Sequence, residues 1–91
     1  MGLKSTTVCL GYQQITSLSA ATALTVPSGA TLAVIVAEAQ AVRWRDDGVA
    51  PTATVGMPVG TYVPLIYDGD LSRIRFIEQT ASAKINVSYY A

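Results

Sequence analysis

The sequence predicts an all-β fold: a small antiparallel β-sandwich of jelly-roll type with seven or eight short strands, a small closed β-barrel being the alternative. Three observations lead there. Apolar and polar residues alternate with a period of two, as in Arg73-Ile74-Arg75-Phe76-Ile77-Glu78 and Lys84-Ile85-Asn86-Val87-Ser88-Tyr89-Tyr90, the pattern of strands whose successive side chains point to opposite faces. Turn signals made of Gly, Pro, Asp and Ser return about every eight to twelve residues. No segment carries an apolar stripe at helical spacing. A chain of 91 residues makes one domain, and residues 1–7, small and polar, read as a loose N-terminal arm.

In chain order, Val8, Leu10 and Tyr12 alternate with Cys9, Gly11 and Gln13, the period of a half-buried strand. Residues 16–21 carry no strong period. Thr22 to Val26 is a short β-like run ending at Val26-Pro27-Ser28-Gly29, where proline second and glycine fourth suit a type I turn. The same spacing returns at Met57-Pro58-Val59-Gly60, so two strand pairs are expected to be joined alike. Residues 31–45 could be read as a helix from their alanines, but Glu38, Gln40, Arg43 and Arg45 would then scatter around the axis and leave no polar face. As strands they sort cleanly. Glu38 and Gln40 share one parity, Arg43 and Arg45 the other, and a bulge or break near Ala41 accounts for the switch. The run Leu32-Ala33-Val34-Ile35-Val36 is expected to lie centrally, covered on both faces.

The stretch Val42-Arg43-Trp44-Arg45-Asp46-Asp47-Gly48 holds the only tryptophan, two of the four arginines and two of the six acids. It reads as a strand that ends in a chain reversal, with Asp46 to Pro51 a loop. Thr52 to Met57 is a short strand at best. Thr61 to Tyr67 is β-rich, but Pro64 lacks an N–H and pushes it to an edge or a bulge. Tyr67-Asp68-Gly69-Asp70 turns the chain again. The strands over 73–78 and 84–90, joined through Thr80-Ala81-Ser82-Ala83, form the clearest expected hairpin.

Composition narrows the function. Hydrophobic residues make up 51% of the chain and charged residues 13%, about half the usual charged share of a soluble domain. Much of the surface must therefore be Ala, Thr, Ser, Val and Tyr. Six basic and six acidic residues give zero formal charge, so copies repel one another weakly, and no basic face for nucleic acid is expected. Self-assembly or a permanent partner follows as the expectation. The single Cys9 forbids an internal disulfide and reads as a buried thiol. With no histidine, the chain lacks the usual general base, the usual partner of a nucleophilic Ser or Cys, and a zinc ligand set. No catalytic residue, cofactor or metal is expected. Gly2 with Thr6 fits the myristoylation pattern by chance, and nothing downstream supplies a second membrane signal. The longest apolar run, Leu32 to Ala37, is too short to span a bilayer, so a soluble chain with no membrane partner is expected. Asn86-Val87-Ser88 fits the glycosylation triplet but reads as strand.

The candidate interaction residues are Arg43, Arg45, Arg73, Arg75 and Tyr90. Arg43-x-Arg45 and Arg73-x-Arg75 each place two guanidinium groups on one strand face. If their strands are neighbours, all four form a cluster able to grip carboxylates or phosphates of a partner. The plainer reading pairs them with Glu38, Glu78 or the turn aspartates on a solvated face. Trp44 and Phe76 read as core. Tyr89 and Tyr90 point to opposite faces, one into the core and one available to an interface. Asp46-Asp47-Gly48 and Asp68-Gly69-Asp70 read as turns rather than calcium loops.

Taken together, Ala41-Val42-Arg43-Trp44-Arg45-Asp46-Asp47-Gly48, Pro51-Thr52-Ala53, Gly56-Met57-Pro58, Ile74-Arg75-Phe76-Ile77 and Lys84-Ile85-Asn86-Val87-Ser88-Tyr89-Tyr90 resemble small structural proteins of tailed bacteriophages and prophages, over most of the chain from Leu10 onward. The resemblance implies a β-sandwich virion component present in many copies. A head decoration or cement protein on the capsid surface comes first, a tail or collar protein next. Its implied partners are itself, as a homo-oligomer with a trimer among the candidate assemblies, and other virion proteins such as the major capsid protein. It assigns no binding role to any residue. A carbohydrate- or receptor-binding sandwich is the alternative from a different class, and an enzyme the remotest.

Overall fold

The computed structural model describes residues 7–91. The sequence reading of residues 1–7 as an arm, and the Gly2/Thr6 pattern, therefore fall outside the described residues except for Thr7. The described chain is all β: β1 (Cys9–Ile15), β2 (Thr22–Ala23), β3 (Leu32–Glu38), β4 (Val42–Arg45), β5 (Met57–Val59), β6 (Leu65–Tyr67), β7 (Arg75–Glu78) and β8 (Lys84–Tyr90).

Two four-stranded antiparallel sheets form, in the orders β1-β8-β3-β6 and β2-β7-β4-β5. The pairings β1 with β8, β2 with β7, β3 with β6 and β4 with β5 are nested. The chain is thus one long hairpin rolled up on itself, the topology of a jelly roll. Rolling adds the lateral pairings β3–β8 and β4–β7. The sandwich is open at its edges, so the barrel alternative is not the fold.

The core lies between the sheets. Ala33, Ile35 and Ala37 of β3 and Ile85, Val87 and Tyr89 of β8 face Val42, Val59, Ile74 and Phe76 from the other sheet and its flanks. Strict alternation in β3 and β8 makes this possible, each burying every second residue. The connections complete the core, with Leu18, Leu24, Leu71 and Ala83 all buried. Leu18 comes from the stretch with no strong period, and its carbonyl accepts the N–H of Glu78 at 2.8 Å, tying that loop to β7.

Several expectations are corrected. The hairpin expected from 73–78 and 84–90 does not form: β7 and β8 belong to different sheets, and residues 79–83 carry the chain across the sandwich. Local alternation cannot distinguish two strands side by side from two strands facing one another, because both bury the same parity. For the same reason, the two Pro-x-Gly stretches do not join paired strands; each precedes a passage between sheets. The first turn is also displaced by one residue. Ala30 donates to the Pro27 carbonyl at 3.2 Å, placing Gly29 third with φ 86°, as a type II turn requires. Met57-Pro58-Val59 is strand β5 rather than a turn, and Pro58 is tolerated there because β5 is an edge.

The break expected near Ala41 is present and separates β3 from β4, which lie in different sheets. Ala39 takes φ 72° in this break. Although β3 is central in its sheet, its outer row Leu32, Val34 and Val36 is only half-buried, so it is not covered on both faces. In β1 the register slips by one residue between Cys9 and Gly11. Cys9 therefore lies opposite the outward Tyr90, and Tyr12 opposite Ser88 on the same face. Cys9 is exposed, not buried. Tyr12 is 64% exposed, while Gln13 takes the inward position and its Oε1 accepts the Tyr89 hydroxyl at 2.7 Å.

Two substitutions test this packing. Phe76→Ala, at a fully buried position, is expected to lower the unfolding free energy in urea by about 3–5 kcal/mol. Ala39→Gly removes the left-handed strain at φ 72° and is expected to raise it by about 0.5–1 kcal/mol, the strain released less the backbone entropy lost by glycine.

Candidate functional site

The β4–β7 register decides the fate of the arginines. Trp44 lies opposite Phe76, Arg43 opposite Ile77, and Arg45 opposite Arg75. Arg43, Arg45 and Arg75 thus share the outer face of their sheet, while Val42 and Phe76 face the core. Arg73 is not part of the row. It lies in the turn over 71–73, where its N–H bonds the Asp70 carbonyl at 3.1 Å and its guanidinium lies over Gly48. Tyr90 is on the outer face of the opposite sheet, since Tyr89 is the residue buried in the core. The five sequence candidates are therefore divided between two sides of the sandwich.

The arginines differ in what they hold. Arg43 donates from Nε to the Ala53 carbonyl at 3.1 Å and from Nη1 to the Gly56 carbonyl at 2.9 Å, fastening the β4–β5 loop to the sheet. Gly56 is required there: it has φ 148°, and a Cβ would stand 3.1 Å from both Arg43 Cβ and the Trp44 carbonyl oxygen. Arg45 makes a two-pronged contact with Asp47, the one ion pair among the described residues. This hydrogen-bonded pairing holds the Asp47 carboxyl down at about 2 and raises the Arg45 guanidinium. Arg75 is exposed directly opposite Arg45, and like charges in that relation disfavour the pairing unless an anion lies nearby. Asp47 supplies part of that compensation.

Beyond the end of β4 lies an open groove of about 460 Å³, lined by Trp44, Arg45, Asp46, Asp47, Val55, Gly56 and Met57. Met57 is the cross-strand partner of Trp44 yet is 56% exposed, because the inner row here extends past the closed part of the core. Tyr67 of β6 reaches this place from the other sheet. Its ring meets Trp44 edge-on, with centroids 5.8 Å apart and planes at 64°, and its hydroxyl donates to Asp46 Oδ2 at 2.6 Å. Burial, then the hydrogen bond to Asp46, pushes the Tyr67 hydroxyl up to about 12.

A second polar arrangement crosses the outer face of the other sheet. Tyr12 Oη donates to Asn86 Oδ1 at 2.5 Å, Gln14 Nε2 to the same atom at 3.0 Å, and Asn86 Nδ2 to Glu38 Oε1 at 3.0 Å. The Asn86 amide is thereby spent between three strands, in keeping with the reading of its triplet as strand. Among the described residues, no group of three or more His, Cys, Asp or Glu side chains is placed to hold a metal ion, and no helix is long and apolar enough to cross a membrane.

The sequence reading found the parity of Arg43, Arg45 and Arg75. It missed the groove, because Tyr67 and Asp46 lie 21 residues apart and meet only across the sandwich. No protein family, curated protein or solved structure matches this chain.

The pH dependence of stability follows from these shifts. Asp47 is held below the ordinary carboxylate value of 3.8, so its contribution is present above that value and lost as pH falls through about 2. Tyr67 and Tyr89 are raised from 10.0 to about 12, so theirs is present below pH 10.0 and lost as pH rises through about 12. Melting temperatures are expected to fall on both outer limbs, with Asp47→Asn shrinking the acid limb and Tyr67→Phe the alkaline one.

Proposed function

We propose that this chain is a non-enzymatic structural protein of a tailed-phage particle, a multimeric decoration or cement protein of the head, with a tail or collar position as the alternative within that class. The observation that carries the reading is the number of large hydrophobic side chains left in solvent. Val8, Leu10, Tyr12, Val49, Val55, Met57, Tyr62, Val63 and Ile66 are all exposed, in a chain whose formal charge is zero. An isolated subunit with that exterior is poorly defended against association. A subunit that covers it with sister copies or a shell has a use for it.

Other features agree with this reading. The jelly roll is an architecture used by capsid proteins as well as by lectins and cupins, a fold-level analogy rather than evidence from the site. The resemblance in the stretches around Trp44, Phe76 and Tyr89 points the same way. Exposed Arg75 offers a partner's carboxylates a charged contact on one side of the sandwich, and Tyr90 an aromatic contact on the other.

Size-exclusion chromatography with light scattering is expected to give a mass at least twice that of the 9.6 kDa chain, and peptide mass spectrometry of gradient-purified particles to detect the chain. Immunogold labelling then separates head from collar and tail. A monomer at high concentration, with the chain absent from purified particles, overturns the proposal.

A further inference from the structure

We infer that the groove at the end of β4 is a binding site for a neutral saccharide, with Trp44 as the stacking surface and Arg45 and Asp46 as hydrogen-bonding partners of ring hydroxyls. The inference goes beyond the assembly role and does not depend on it, because all the groove's groups come from one subunit.

The volume, about 460 Å³, falls within the range of small-ligand sites. An indole with Val55 and Met57 supplies an apolar wall, and Arg45, Asp46 and Asp47 supply polar groups beside it. A sugar ring has the same two-sided character, with an apolar C–H face and a rim of hydroxyls.

The polar groups are also held in place before any ligand arrives. Tyr67 fixes both components, lying edge-on to Trp44 and donating to Asp46 Oδ2. That leaves Asp46 Oδ1 without a partner among the described residues. Asp47 occupies Nε and Nη2 of Arg45, leaving Nη1 likewise without one. Asp46 borders the groove from the inner row and Arg45 from the outer one, so an acceptor and a donor flank it at the strand end, and sugar hydroxyls, each of which can donate and accept, suit both.

Charge excludes the main competitors. The lining's two carboxylates and one guanidinium, with Arg75 directly opposite Arg45, balance to no net charge, so an ion of either sign is without the opposing charge it would need. An entirely apolar ligand would cover Asp46 and Arg45 without replacing their bonds to water.

Trp44 is the chain's only tryptophan, so its fluorescence reports from the groove itself. The full-length protein is titrated with glucose, galactose, mannose and N-acetylglucosamine and their di- and trisaccharides, alongside a printed glycan array, with glucuronic acid and choline as charged comparators. At least one neutral sugar is expected to give a saturable emission change and to protect Trp44 from acrylamide quenching. Binding is expected to weaken at least tenfold in Asp46→Ala and in Met57→Glu. The second variant changes a 56%-exposed side chain and is expected to keep the wild-type melting temperature, separating lost binding from lost folding. No saturable response across the panel, undiminished binding by Met57→Glu, or tighter binding of glucuronic acid or choline would overturn the inference. Since monomers and oligomers both carry the groove, these outcomes are independent of the light-scattering result.

Discussion

The two-sided pairing of β8 is the constraint on which the other elements depend. Its strand is hydrogen-bonded to β1 on one side and β3 on the other, and its inner row of Ile85, Val87 and Tyr89 is almost wholly removed from water. These residues face Phe76 and Ile74 across the core, so one strand fixes the register of its own sheet and the spacing of the two sheets. Each such side chain contributes about 1.5–3 kcal/mol by burial. Because β8 ends the described chain and β1 begins it, this arrangement requires the whole chain. Only the β4–β5 pairing joins strands consecutive in sequence, and a topology so rich in non-local pairing belongs with the slower-folding β proteins.

A sandwich of this size has only two layers, so each sheet keeps one face outside. On one side the outer face carries Arg43, Arg45 and Arg75; on the other it carries Tyr12, Asn86, Glu38 and Tyr90 beside half-buried aliphatic residues. The two faces serve different chemistry. On the arginine side Arg43 is bonded to the β4–β5 loop and Arg45 is paired with Asp47, whereas on the opposite face Tyr12, Gln14, Asn86 and Glu38 are joined by amide, hydroxyl and carboxylate bonds.

The groove arises from the same geometry. The inner row of β4 runs Val42, Trp44, Asp46, from fully buried through half-buried to polar, so it passes from core to solvent within five residues of strand and loop. Tyr67 meets that row from the other sheet. Its ring extends the apolar contact while its hydroxyl satisfies the carboxylate, one side chain serving both packing and polarity.

The sequence alone determined the all-β class, and for β3, β4, β7 and β8 the parity each presents, because a period of two follows directly from the pleat. It placed Val42 and Trp44 opposite Arg43 and Arg45, put Ile74 and Phe76 on one face, sent Tyr89 and Tyr90 to opposite faces, broke the chain near Ala41, and put the Pro64 stretch at an edge or a bulge. What it left undecided was which strand lies beside which. The alternation of 73–78 and 84–90 fits a hairpin and a face-to-face crossing equally well, and only the completed roll selects the crossing. The one-residue slip that exposes Cys9, the meeting of Tyr67 with Asp46, and the separation of Tyr90 from the arginine row are likewise tertiary outcomes. Each depends on pairing between residues far apart in the chain, where local pattern carries no information about distance in space.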